Sequence, residues 1–142
     1  MNIHFVSLDI PFPPNYGGVI DIFYKIQSLS ELNCKIILHC FYDDRKEQVE
    51  LNKYCEKVFY YSRNRNLRSL LFSKNPFLVQ SRFSQALIQN LTAFDNAPIF
   101  FDGLQATAVA FDPALSKRKK YVRMHNVESQ YIKGLAFSER RW

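Results

Sequence analysis

Cysteine is scarce in this chain: Cys34, Cys40 and Cys55 are an odd number with no C-x-x-C spacing, which disfavours a disulfide framework and fits a reduced, cytoplasmic setting. Nothing near Met1 reads as a signal sequence. No apolar run reaches the ~20 residues that span a bilayer, and the longest candidate, Ala97 to Ala110, is interrupted by Asp102, Gly103 and Gln105. Glycine is equally sparse, at four residues. Those four form neither G-x-G-x-x-G nor a P-loop, which disfavours a dinucleotide dehydrogenase and a P-loop NTPase. No Asp, Glu, His and Cys cluster has metal-ligand spacing, so no metal is expected. Internal repeats and low-complexity tracts are missing as well.

What is present is apolar. Of 142 residues, 47% are hydrophobic and 15% aromatic, enough for one packed domain and too little chain for two. Nineteen Lys plus Arg against thirteen Asp plus Glu leave a charge of +6, which favours an anionic partner without the excess of a dedicated polyanion binder.

The run Ile3 to Leu8 is nearly continuous in apolar residues, the pattern of a strand buried on both faces. Pro11, Pro13 and Pro14 then impose an irregular loop over Asp9 to Tyr16, closed by Gly17 and Gly18. Val19, Ile22, Phe23, Ile26, Leu29 and Leu32 recur at helical spacing, with Asn33 as the stop. Ile36 to Tyr42 is the second strand, so the helix is a crossover between parallel strands. A polar helical stretch is expected over Arg45 to Tyr54, and further strands over Val58 to Tyr61, Ile99 to Phe101 and Tyr121 to Met124. A helix anchored by Phe83, Leu87, Ile88, Leu91 and Phe94 spans Ser84 to Phe94, a short apolar helix spans Ala106 to Phe111, and a last helix follows Asn126. This alternation predicts an α/β fold: a doubly wound, mainly parallel, Rossmann-like sheet with helices on both faces.

Ligands of such sheets bind outside the carboxyl ends of the strands, near the reversal of strand order. That rule selects Asp9 to Gly18, Asp102-Gly103 and His125-Asn126. Gly17-Gly18 at a helix start is either a phosphate cradle or a plain tight turn. Asn126 and Glu128 have a sufficient explanation as helix-start residues, whereas a capped turn has no need of the imidazole of His125, which is therefore a functional candidate. His4 and His39 lie inside strands and are assigned to the core. The basic amphipathic stretch Arg63 to Phe77 is either a solvated face with an apolar underside or an attachment to an anionic membrane surface. Lys117 to Lys120 has no interleaved stacking aromatics, so no nucleic-acid partner is expected.

Three segments carry a family resemblance: the first strand with its Pro-rich loop and Gly17-Gly18, the stretch Arg123-Met124-His125-Asn126-Val127-Glu128, and Asn75-Pro76-Phe77 to Arg82-Phe83. Together they resemble the N-terminal, acceptor-side half of a GT-B glycosyltransferase of the large retaining family four. The resemblance implies transfer of a sugar from a nucleotide diphosphate sugar to a glycan or lipid-linked acceptor with retained configuration, by an enzyme that needs no metal and no further cofactor; the cysteine usage places it in the cytoplasm, and the membrane-attachment reading of Arg63 to Phe77 would put it at the inner face of the membrane. Carried over, Gly17 and Gly18 face the donor diphosphate and His125 is the catalytic residue beside the anomeric carbon. Asp9, Tyr16, Asp102, Arg123 and Asn126 are then the sugar- or acceptor-binding candidates.

The family's second, nucleotide-binding domain with its basic pair and Glu-rich motif is not found between residues 1 and 142, and Ser138 to Trp142 reads as a running helix. The chain is therefore expected to be half of a bipartite site and inactive by itself. Two other classes compete: a non-catalytic Rossmann-type module for an anionic ligand, and a sugar-nucleotide epimerase of the same architecture.

Overall fold

The structure is a computed structural model, and it describes residues 1–65, 75–124, 130, 133 and 134. Five strands form one sheet: β1 (Asn2–Ser7), β2 (Lys35–Tyr42), β3 (Lys57–Ser62), β4 (Ile99–Asp102) and β5 (Lys120–Arg123). Their order is β3-β2-β1-β4-β5 and every pairing is parallel. The chain winds outward from β1 in one direction, then returns to lay β4 on its other side. The order therefore reverses between β1 and β4, where a doubly wound sheet opens its ligand crevice.

Alternation along β1 feeds two cores. Ile3 and Phe5 pack with Ile22, Phe23 and Ile26 of helix α1 (Gly17–Glu31) and with Ile36 and Leu38 of β2. Val6, one residue further on, faces the opposite layer with Phe41, Phe101 and Leu87, Ile88 and Leu91 of α3 (Gln85–Ala93). Between β3 and α3 lies a single-turn helix, α2 (Phe77–Gln80). A strand apolar on both sides thus becomes the centre of an α/β sandwich. Asn33 ends α1 with φ at 58°, a left-handed conformation that asparagine tolerates, while Ser84 caps α3 by accepting from the Leu87 amide at 3.3 Å.

Two expected helices are replaced. In Arg45 to Tyr54 only a 3-10 turn, Val49–Lys53, forms, because Leu51 is the one buried anchor of the stretch and no apolar stripe holds a longer helix. Ala106 to Phe111 contains turns after a 3-10 segment at Leu104–Ala106. Gly103 enters it with φ at 95°, the Thr107 hydroxyl donates to the Leu104 carbonyl at 2.7 Å, and Phe111 is 97% exposed where an apolar helix would bury it. In α3 the burial falls on Leu87, Ile88 and Leu91, with Phe83 and Phe94 left partly exposed. The helix expected after Asn126 lies largely outside the described residues. Among the described residues, no helix is long and apolar enough to cross a membrane.

Candidate functional site at the carboxyl ends of the strands

The loop leaving β1 is folded on its own side chains. The Ser7 hydroxyl donates to the Asp9 carbonyl; one Asp9 carboxylate oxygen accepts from the Ile10 amide at 2.7 Å and the other from the Tyr16 hydroxyl. Asp9 therefore ties the beginning of the Pro-rich loop to its end. Burial, with the adjoining carboxylate second, pushes the Tyr16 phenol up to about 12, so it stays a proton donor to Asp9. Arg45 lies 5.4 Å from the Tyr16 ring centroid and donates to Asn15 Oδ1 at 3.1 Å and to the Pro13 carbonyl.

This staple presents the N-terminus of α1. Tyr16 is its cap residue but supplies no side-chain cap, and no acidic residue occupies the first turn. The first-turn amides thus keep their donors and the positive end of the dipole. A Cβ on Gly17 would meet nothing within 4 Å, and one on Gly18 would meet only the Tyr16 ring edge at 3.7 Å. Neither position has a positive φ, so the fold itself demands no glycine at either.

Asp102 and Arg123, at the ends of β4 and β5, join a different network. Asp102 is fully buried and receives Lys25 Nζ at 2.8 Å; Lys25 also reaches Asp21 at 3.1 Å, and Arg123 Nη1 lies 2.7 Å from the same Asp21 oxygen. Partial burial acts to raise the Asp21 pKa, and the hydrogen bonds and charges of Lys25 and Arg123 outweigh it to hold the pKa below the usual value. The network fastens α1 to the ends of β4 and β5 with alternating charges. Of the sequence candidates, then, Asp9 and Tyr16 touch each other next to Gly17 and Gly18, Asp102 and Arg123 are linked through Lys25 and Asp21, and His125 and Asn126 lie outside the described residues.

Two arginines lie in stretches that the sequence singled out, Arg63 to Phe77 and Asn75 to Phe83, without being named individually as site residues. Arg82 is 7% exposed and donates to the carbonyls of Leu8, at 3.2 Å, and Leu78, at 2.8 Å. Burial, followed by the charge of Arg63, lowers its pKa to about 10. Arg63 reaches Asp43 at 3.2 Å and the Ser81 hydroxyl at 3.3 Å, while its enclosed Nε has no hydrogen-bond partner among the described residues. Arg65 also meets Asp43. The signal in the sequence was the Arg63-x-Arg65 pair directly after β3 and an arginine among the apolar residues of Asn75 to Phe83. Most of the stretch Arg63 to Phe77 lies outside the described residues.

On the α3 side of the sheet, His4 and His39 are fully buried, as expected of core residues. His4 Nδ1 and His39 Nε2 are 3.0 Å apart; His39 Nδ1 lies 2.9 Å from the Tyr61 hydroxyl, which accepts from Asn90 at 2.9 Å. Asp95 lies 3.4 Å from His4 Nε2. One order of donors satisfies this chain: Asn90 to Tyr61, Tyr61 to His39 Nδ1, His39 Nε2 to His4 Nδ1, leaving the His4 Nε2 proton facing Asp95. Both imidazoles are then neutral, in keeping with burial lowering the pKa of each. No group of three or more His, Cys, Asp or Glu among the described residues is placed to hold a metal ion.

No family model matches the chain, and no solved structure matches it. A search of curated proteins finds a similarity to a Klebsiella pneumoniae protein described as "Uncharacterized 44.6 kDa protein in cps region", 27% identical over 136 residues. The match covers 92% of this chain and 34% of that protein, so the chain spans about a third of the length of its relative.

Proposed function

We propose that this chain is the acceptor-side domain of a retaining glycosyltransferase that moves a sugar from a nucleotide diphosphate sugar to a glycan or lipid-linked acceptor. The observation that carries the reading is the start of α1 at the β1/β4 switch point. Its first-turn amides are uncapped, two glycines there are not required by the fold, and Asp9 and Tyr16 hold the approach loop in place. A departing nucleoside diphosphate gathers negative charge as the glycosidic bond breaks. Preset N–H dipoles aimed at that charge stabilise the transition state more than the ground state. Glycine lets phosphate oxygens approach the backbone to hydrogen-bond distance. A relative from a cps region, which we take as a capsule region, supports a role in polysaccharide synthesis.

In this reading His125 sits beside the donor sugar, a partner domain supplies the nucleotide site, and the chemistry needs neither metal nor nucleic acid. The protein works at the cytoplasmic face of the membrane. The test is transfer by the full-length protein, assayed with a panel of nucleotide sugars, a membrane extract as acceptor source and His125→Ala as control. Transfer with retained anomeric configuration that drops at least tenfold in the variant is the expected result. Neither transfer nor donor hydrolysis with any nucleotide sugar would remove the reading, and interconversion of the donor itself would assign an epimerase.

A further inference from the structure

Two complementary features meet at helix α2. One is the pair Arg63 and Arg82. Arg82 is more than nine-tenths buried, yet its hydrogen bonds go to two neutral carbonyls, and among the described residues no carboxylate lies within ion-pair distance of it. Arg63 beside it has an enclosed Nε without a partner among the described residues and shares its one carboxylate, Asp43, with Arg65. Asp9, the other nearby acid, is occupied by the Ile10 amide and the Tyr16 hydroxyl. The charges of Asp9 and Asp43 offset part of the repulsion between Arg82 and Arg63, and a phosphate, whose oxygens match the forked donors of arginine, would add to that compensation.

The other is a groove of about 200 Å³ lined by Asn75, Pro76, Val79, Leu104, Thr107, Ala108 and Phe111. Its walls are largely apolar, and Phe111 stands almost entirely in solvent at its edge. Helix α2 and the residue after it link the two: Val79 lines the groove, the preceding Leu78 carbonyl is held by Arg82, and the Ser81 hydroxyl accepts from Arg63. Both lie at the carboxyl side of the sheet, since Arg82 also grips the Leu8 carbonyl as the chain leaves β1.

We propose that this surface binds a phosphate-bearing lipid, with its phosphate on Arg63 and Arg82 and its apolar chain along the Pro76, Val79, Ala108 and Phe111 groove. An anion by itself would leave the groove empty, and a neutral lipid would leave three guanidinium groups, Arg63, Arg65 and Arg82, with Asp43 as the one carboxylate they contact among the described residues; an amphiphile carrying both groups answers both. This inference rests on the glycosyltransferase reading only in making the lipid the acceptor, and so narrows the acceptor class to phosphate-linked lipids.

The test is calorimetric titration of the full-length protein, in a fixed non-ionic detergent, with farnesyl phosphate, farnesol and inorganic phosphate as separate probes. Farnesyl phosphate is expected to bind at least tenfold more tightly than either fragment. Arg63→Met, which removes one charged donor set, and Ala108→Trp, which fills the groove, are each expected to weaken it by about tenfold. Melting curves establish that both variants remain folded. Equal binding of farnesyl phosphate and inorganic phosphate would overturn the groove's part, and equal binding of farnesol would overturn that of the arginines. A response to Arg63→Met with none to Ala108→Trp would describe a charged surface of the kind that meets an anionic bilayer, and would also overturn the proposal. Transfer to a soluble glycan without farnesyl phosphate binding would sink this inference and leave the enzymatic reading standing; binding without any transfer would do the reverse.

Discussion

Replacing both Gly17 and Gly18 by alanine should make the fold more stable and the protein less able to hold a diphosphate. Both residues belong to the first turn of α1, neither has a positive φ, and the added methyl groups meet either nothing or the Tyr16 ring at an ordinary contact distance. Alanine restricts the unfolded chain and favours helix, so each change near this terminus contributes ~0.5 kcal/mol, or ~1 kcal/mol for the pair. In a chain of 142 residues that is a rise in melting temperature of about 3 °C. A phosphate oxygen hydrogen-bonded to the first-turn amides would collide with the new methyl groups. Losing one charge-assisted bond costs ~1.5–3 kcal/mol, a fall in affinity of at least about tenfold.

The two effects have opposite signs, which separates ligand exclusion from general damage. Scanning calorimetry of the double variant supplies the first, and kcat/KM for the nucleotide sugar in the full-length protein supplies the second. A variant that melts higher yet transfers within about twofold of the parent would refute the placement of the diphosphate on these amides. One that melts several degrees lower would refute the claim that the fold is indifferent to glycine there.

Lys25→Met leaves the fully buried Asp102 without the cation at 2.8 Å and is expected to cost about 3 kcal/mol, whereas Asp21→Asn, among half-exposed partners, should cost under ~1 kcal/mol; urea unfolding of both variants decides, and equal costs would discard the distinction. The two buried histidines have folded-state pKa values below their ordinary 6.5, so the unfolded chain takes up protons first and stability should fall as pH drops below about 6.5, by up to ~1.4 kcal/mol per pH unit for each group. A urea midpoint unchanged from pH 7.5 to pH 5, or an equally steep decline in His4→Gln/His39→Gln, would count against that linkage. Ser84→Ala removes the cap of α3 and should destabilise by ~1 kcal/mol, while Ser84→Asp should be near neutral; parity of alanine with serine in thermal melts would show that the cap is idle.

The parts of the fold readable in advance were those in which one residue pattern has one structural outcome. Ile3 to Leu8 is apolar at nearly every position, and only a central parallel strand buries both sides of such a segment, as Phe5 and Val6 do in separate cores. Prolines 11, 13 and 14 left the following loop no regular alternative. Arg45 to Tyr54 and Ala106 to Phe111 were misread because a short segment's helicity depends on what it packs against, and one buried Leu51 or a left-handed Gly103 outweighs local preference.

The same division runs through the candidate site. The rule of carboxyl ends picked out Asp9 to Gly18 together because they are contiguous in sequence, and Asp9 and Tyr16 are in contact beside Gly17 and Gly18; Asp102, which the rule also picked, is joined to Lys25 and Asp21 instead, and His125-Asn126 lie outside the described residues. Arg63 and Arg82 were seen only as members of stretches, Arg63 in a segment read as a solvated face or an anionic-membrane contact and Arg82 in the family-like Asn75 to Phe83; only the return of the chain through α2 buries Arg82 against the Leu8 carbonyl. His4 and His39 show the limit from the other direction. Their assignment to the core was correct, yet their strand register brings His4 Nδ1 within 3.0 Å of His39 Nε2 and joins them to Tyr61 and Asn90, a hydrogen-bond chain that crosses three strands and a helix. Contacts that depend on register between distant segments are invisible to periodicity within any one of them.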